Sequence, residues 1–222
     1  MLHLTLANIL VDTFFHGGLI MWPLLLLSLF AVAVIAERVV WWVSARRARD
    51  NDRLNRIYHA LGRGDRDDAI KLADGSGDPR IRVVAYSLEH PETAIEIATQ
   101  IRAAEELKIA RRFLTAMDTI ITLAPLLGLL GTVTGIMQSF KFVGGDQDLA
   151  VSKVSGGIGE ALIATATGLG VAIITLLPFN LFGSRAEELA EELETVSKNV
   201  QLLLEKSKAR SEASYELTHA GK

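Results

Sequence analysis

The chain has 222 residues, half of them hydrophobic, a positive mean hydropathy and a formal charge of −3. Its apolar residues come in long blocks, the pattern of an integral membrane protein. The absence of cysteine excludes a disulfide frame, a thiolate metal site and a cysteine nucleophile. With a slightly acidic balance and no aromatic–basic interleaving, nothing points to nucleic acid as a partner.

Residues 1–18 contain no Lys or Arg, and Leu2, Leu6, Ile9, Leu10 and Phe14 fall roughly on one helical face. A short periplasmic or interfacial helix is expected there, broken at Gly17-Gly18. Residues 19–43 form the first expected membrane helix, with Trp22 near one end and Trp41-Trp42 near the other as interfacial belts. Pro23 stands in its first turn, where a missing N–H costs little. Glu37 and Arg38 are placed to pair or to reach the interface. No basic n-region or small-residue cleavage site precedes Arg38, so this block reads as a retained anchor and not a cleaved signal.

Residues 44–112 are polar and read as a cytoplasmic helical region. Apolar positions Leu54, Ile57, Tyr58 and Leu61, then Ala69, Ile70, Leu72 and Ala73, have helical spacing. Breaks are expected at Gly62, Gly64 and Gly75-Ser76-Gly77-Asp78-Pro79. A helical hairpin is expected here, then a longer helix from about Pro91 running into the membrane. The charges nearly balance and read as a solvated face.

Residues 113–140 and 157–182 are the second and third expected spans, joined by a periplasmic loop over 141–156. No ionisable residue lies between Asp118 and Lys141, nor between Glu160 and Arg185. Each gap exceeds the ~20 residues that cross a hydrocarbon core. Residues 183–222 form a C-terminal helix and tail, in which Leu189, Leu193, Val196, Val200 and Leu203 make a heptad stripe. The stripe implies that the third helix continues into a bundle. Basic residues are concentrated in 44–112 and 183–222, which puts both in the cytoplasm and the N-terminus outside. Pro178 and Asn180 are expected to shape the end of the third span.

In the second span Ala124, Gly128, Gly131, Thr132, Gly135 and Ser139 recur every three or four residues. Ala161, Thr165, Gly168 and Ala172 do the same in the third. Small residues at this spacing let helices approach closely in lipid. Thr132, Thr165 and Glu160 are the candidate ion-path residues: the threonines fall at similar depths beneath the acid. In a ring of subunits they would form a hydroxyl collar under a carboxylate collar. Thr167 shares the Glu160 face. Asp118, near the cytoplasmic end, reads either as an inner counterpart of that path or as an interfacial acid. The five His are scattered without metal spacing, and no nucleophile elbow or phosphate loop appears, so no enzyme constellation is present.

The run Ala124-Pro125-Leu126-Leu127-Gly128-Leu129-Leu130-Gly131-Thr132-Val133, with Gly135-Ile136, resembles the second-span signature of the ExbB/TolQ/MotA proton-channel family. Gly157-Ile158, Glu160-Ala161-Leu162, Ala164-Thr165-Ala166 and Gly168-Leu169 resemble its third. Three spans and a modest cytoplasmic insert resemble the ExbB/TolQ branch. The resemblance implies an all-α protein that forms a pentameric ring around a pair of ExbD/TolR-like single-span partners, each bearing an essential Asp. It also implies Thr132 and Thr165 as pore-lining residues, Glu160 as the pore acid and no cofactor, the proton gradient (sodium less so) supplying the energy. A TonB- or TolA-like periplasm-spanning protein would be a further partner, and the bacterial inner membrane the location.

Overall fold

The computed structural model describes residues 14, 17–90, 93–141 and 147–219, the side chains of 147–153 and 211–219 excepted. Among these residues all regular structure is helical: α1 Met21–Arg47, α2 Asn51–Arg63, α3 Arg66–Ala73, α4 Pro79–Glu89, α5 Ile95–Ala110, α6 Leu114–Phe140 and α7 Gln147–His219. The helix expected over residues 1–18 lies almost wholly outside the described residues, as does Gly144-Gly145-Asp146. Contacts divide the chain into two units, Met1–Arg38 with Phe113–Phe182, and Val39–Arg112 with Gly183–Lys222.

Two expectations are corrected. The third long helix starts at Gln147, so most of the loop expected over 141–156 is helical. Gly156-Gly157 does not start or break it. A Cβ on Gly157 would fall 2.1 Å from Ser139 Oγ, so that glycine serves close packing. The helix from 95 does not run unbroken into α6. It stops at Ala110, and Phe113 takes a left-handed φ of 66° before α6 begins. A bulky residue there stores strain of about 1–3 kcal/mol and needs support; the buried Arg38 guanidinium sits 5.7 Å from the Phe113 ring centre. Arg38 also pairs with Glu37 at 2.7 Å. The third helix continues through Pro178 to His219, the continuation that the heptad stripe implied.

The second unit is held by two apolar clusters. Ile57, Leu61, Ile81, Leu88 and Val200 anchor one; Val83, Ala110, Leu189 and Leu193 anchor the other, with Trp41 and Trp42 against it. Full burial of each large aliphatic contributes about 1.5–3 kcal/mol. The heptad stripe is therefore core, as its spacing implied. Helix starts here use aspartate caps: Asp50 accepts from the Arg53 amide at 2.8 Å and Asp65 from the Asp68 amide at 3.0 Å. Gly64, with φ of 84°, closes α2, whereas Gly62 lies inside that helix.

Two carboxylates overturn the expectation of a merely solvated face. Asp78 is fully buried, capping α4 through the Arg80 amide and accepting from the Asp50 amide and the Arg80 guanidinium. Burial works to raise its pKa, but those hydrogen bonds outweigh it and hold the carboxyl below its ordinary 3.8. Glu106 is also buried, bridging the guanidiniums of Arg82 and Arg102.

Candidate functional site

The first unit is organised by an antiparallel seam between α6 and α7. Gly128, Gly131 and Gly135 of α6 face Thr165, Ala164 and Ala161 of α7, and Gly168 faces Ala124. A Cβ on Gly131 would stand 2.6 Å from Ala164 Cβ, and one on Gly168 only 2.4 Å from the Ala124 carbonyl oxygen. The glycines are there because the two backbones leave no room for a side chain. The closeness permits a hydrogen bond between helices: the Thr165 hydroxyl donates to the Gly128 carbonyl at 2.8 Å.

Helical geometry then places the hydroxyls. Thr132 follows Gly131, and Thr165 follows Ala164, the residue directly opposite it. In an antiparallel pair, one step forward on each helix rotates both side chains to the same side of the seam. Their depths differ by two rises, about 3 Å. The Thr132 hydroxyl donates to its own helix at Leu129 O, 2.6 Å away, and both threonines are half-buried.

Helix α1 covers the opposite side. Met21 and Leu24 are buried with Ala124, Ala164 and Ala172, flanked by Leu127, Ile163 and Val171. Glu160 lies toward this side. It is five residues before Thr165, about 140° round the helix, and its side chain abuts Gly18. Within one chain, then, the acid and the hydroxyl pair flank the seam on different sides. Thr167, half-buried, donates to Ile163 O at 2.9 Å. Asp118 is exposed on the hydroxyl side of α6, fourteen residues or about 21 Å from Thr132. The seam thus puts Thr132 and Thr165 on one side and leaves Asp118 apart. Reading the sequence missed the part played by Gly17, Gly18 and Gly157. The four-residue step from Gly157 to Ala161, paired with Gly135 and Ser139, could have revealed the last.

Helices α1, α6 and α7 are each long and apolar enough to cross a membrane. A tight glycine seam between two of them completes the signature of a multi-pass helical membrane protein. Residues 78–195 match the MotA/TolQ/ExbB proton channel family, and the chain belongs to that family. It is 36% identical over 211 residues to an ExbB-like biopolymer transport protein of Synechocystis sp., covering 91% of this chain and 82% of that one. The biopolymer transport protein ExbB of Neisseria gonorrhoeae is 28% identical over 201 residues, 81% of this chain and 91% of that protein. The Tol-Pal system protein TolQ of Pseudomonas aeruginosa is 39% identical over 103 residues, 46% of this chain and 43% of its own.

Proposed function

We propose that this chain is the ring-forming subunit of a proton-driven motor of the inner membrane, its N-terminus outside and its C-terminus in the cytoplasm. The observation that carries the reading is the Thr132–Thr165 pair on the side of the α6–α7 seam that α1 leaves uncovered. When several copies close into a ring, five by likeness to the family, that side turns inward and the hydroxyls line a central path. Glu160, which shares a face of α7 with Thr167, stands on the α1 side of the seam within one chain and is the pore acid by likeness to the family, and Asp118 is a secondary position at the inner end. Gly128, Gly131, Gly135 and Gly168 hold the seam closed.

The membrane segments carry no acid at mid-depth, so the proton relay needs a carboxylate from elsewhere. A pair of single-span partners of the ExbD/TolR kind, each with an intramembrane Asp, fits that need. One charge crossing 100 mV releases about 2.3 kcal/mol, so a few protons suffice for a mechanical step. The gradient takes the place of any cofactor. The names of the relatives favour export of that step to the periplasm, through a TonB- or TolA-like protein, for transport or envelope maintenance.

Reconstitution into liposomes tests the reading. With the single-span partner, an imposed potential should drive proton flux that Glu160→Ala, Thr132→Val and Thr165→Val remove without disassembling the complex. Equal flux from the chain without a partner would make it a self-sufficient channel. Full flux in the threonine variants would leave it a scaffold.

A further inference from the structure

The backbone ahead of α1 meets the one membrane acid of α7. Gly18 has φ of 74°, the left-handed region that favours glycine. A Cβ built on it would fall 1.7 Å from Oε1 of Glu160, 2.7 Å from Cδ and 3.1 Å from Cγ. Three successive side-chain atoms crowd that position, so the body of the Glu160 side chain fills the space a Cβ would take. Gly17 is buried beside it. Its Cβ would meet Met21 Sδ at 2.7 Å and Ile163 Cγ2 at 3.1 Å, and Ile163 stands one turn along from Glu160.

The amides of Gly18, Leu19 and Ile20 have no acceptor among the described residues. They stand just ahead of a helix of 27 residues, whose dipole favours an anion at this end. The Glu160 carboxylate likewise has no hydrogen bond or ion pair among the described residues. The carboxylate is therefore packed against the Gly18 Cα, at a left-handed turn that favours glycine, without bonding these amides.

We propose that Gly18 is a positioning residue for Glu160: its bare Cα and left-handed φ let the opening turn of α1 close on the acid. The first membrane helix is then more than an anchor, because it sets where the carboxylate of the third span stands. This inference rests on the path role given to Glu160 above.

The test is a size-complementation series in the full chain, reconstituted with its single-span partner, with proton flux and melting temperature both read. Gly18→Ala should cut flux by about tenfold or more, since ~1 Å of misplacement is enough for such losses. Combining it with Glu160→Asp, one methylene shorter, should restore flux to the level of Glu160→Asp by itself and raise the melting temperature above that of Gly18→Ala, short of wild type by the strain of the left-handed φ. Gly75→Ala is the strain control: φ is 67° there with nothing within 4 Å of the added methyl, so flux should stay at the wild-type level. Wild-type flux in Gly18→Ala, or a double variant that melts no higher than Gly18→Ala, overturns the inference. Loss of flux in Glu160→Ala together with wild-type flux in Gly18→Ala would sink the positioning role alone. Full flux in Glu160→Ala would sink the path reading, while the melting comparison still decides whether the acid is seated on Gly18.

Discussion

Gly168→Ala adds one methyl group at the narrowest point of the α6–α7 seam. That methyl would lie 2.4 Å from the Ala124 carbonyl oxygen and 3.2 Å from both Ala124 C and Gly128 Cα, all backbone atoms. Ordinary contact begins at 3.4 Å, so the helices must separate by about 1 Å, since backbone cannot rotate aside. Overpacking of this kind costs about 1–3 kcal/mol. A 1 Å separation also carries the 2.8 Å bond from Thr165 to Gly128 beyond hydrogen-bonding range, which costs about 0.6 kcal/mol more. A loss of roughly 2–4 kcal/mol is expected. Gly170→Ala, two residues along with nothing within 4 Å, should be neutral or gain about 0.5–1 kcal/mol from helix propensity. Thermal melting of the purified chain in detergent checks both. Equal melting of Gly168→Ala and wild type, or an equal loss in Gly170→Ala, would refute the seam.

Thr165→Val removes the inter-helix hydroxyl at nearly constant volume and should cost about 0.6–1.7 kcal/mol. Thr165→Ser keeps the hydroxyl and should melt close to wild type. In the second unit, Asp78 has a folded pKa below its ordinary 3.8. Its contribution is therefore complete above that value and is lost as pH falls through the depressed one. Melting temperatures followed from about pH 5 to 3 should fall, and Asp78→Asn should flatten part of that slope. Gly17→Cys with Ile163→Cys should form a disulfide in native membranes, since the Gly17 Cβ position lies 3.1 Å from Ile163 Cγ2. The chain has no other cysteine to confuse the gel.

How legible these features were depends on whether they are periodic. The small-residue stripes of α6 and α7 and the heptad of Leu189, Leu193, Val196 and Val200 repeat with the helix, and the structure buries them. Phe113 carries no such signal, because its left-handed φ depends on tertiary support and no glycine marks it. Asp78 and Glu106 looked like surface charge, since composition cannot say which acids find arginines and amides to bury them. Gly156-Gly157 and Gly17-Gly18 are each a glycine pair, the first expected to open the third span and the second to break a helix. Only the second is a turn, and at the first the missing side chain at Gly157 serves close approach. The same limit applies to Glu160: helical spacing placed it near Thr165 in depth, but its seat against Gly18 depends on a turn more than 140 residues away in the chain.

The central claim is that the Thr132–Thr165 side of the seam faces an aqueous path and not lipid. The direct measurement is thiol reactivity in native membranes, using Thr132→Cys in this cysteine-free chain and a membrane-impermeant, water-borne reagent. Leu177→Cys, on an exposed apolar face of α7, is the lipid-side comparison. The account predicts that Cys at 132 reacts when the chain is expressed without its partner, is shielded when the partner is present, and that Cys at 177 stays inert in both. Equal inertness at the two positions without the partner would contradict it.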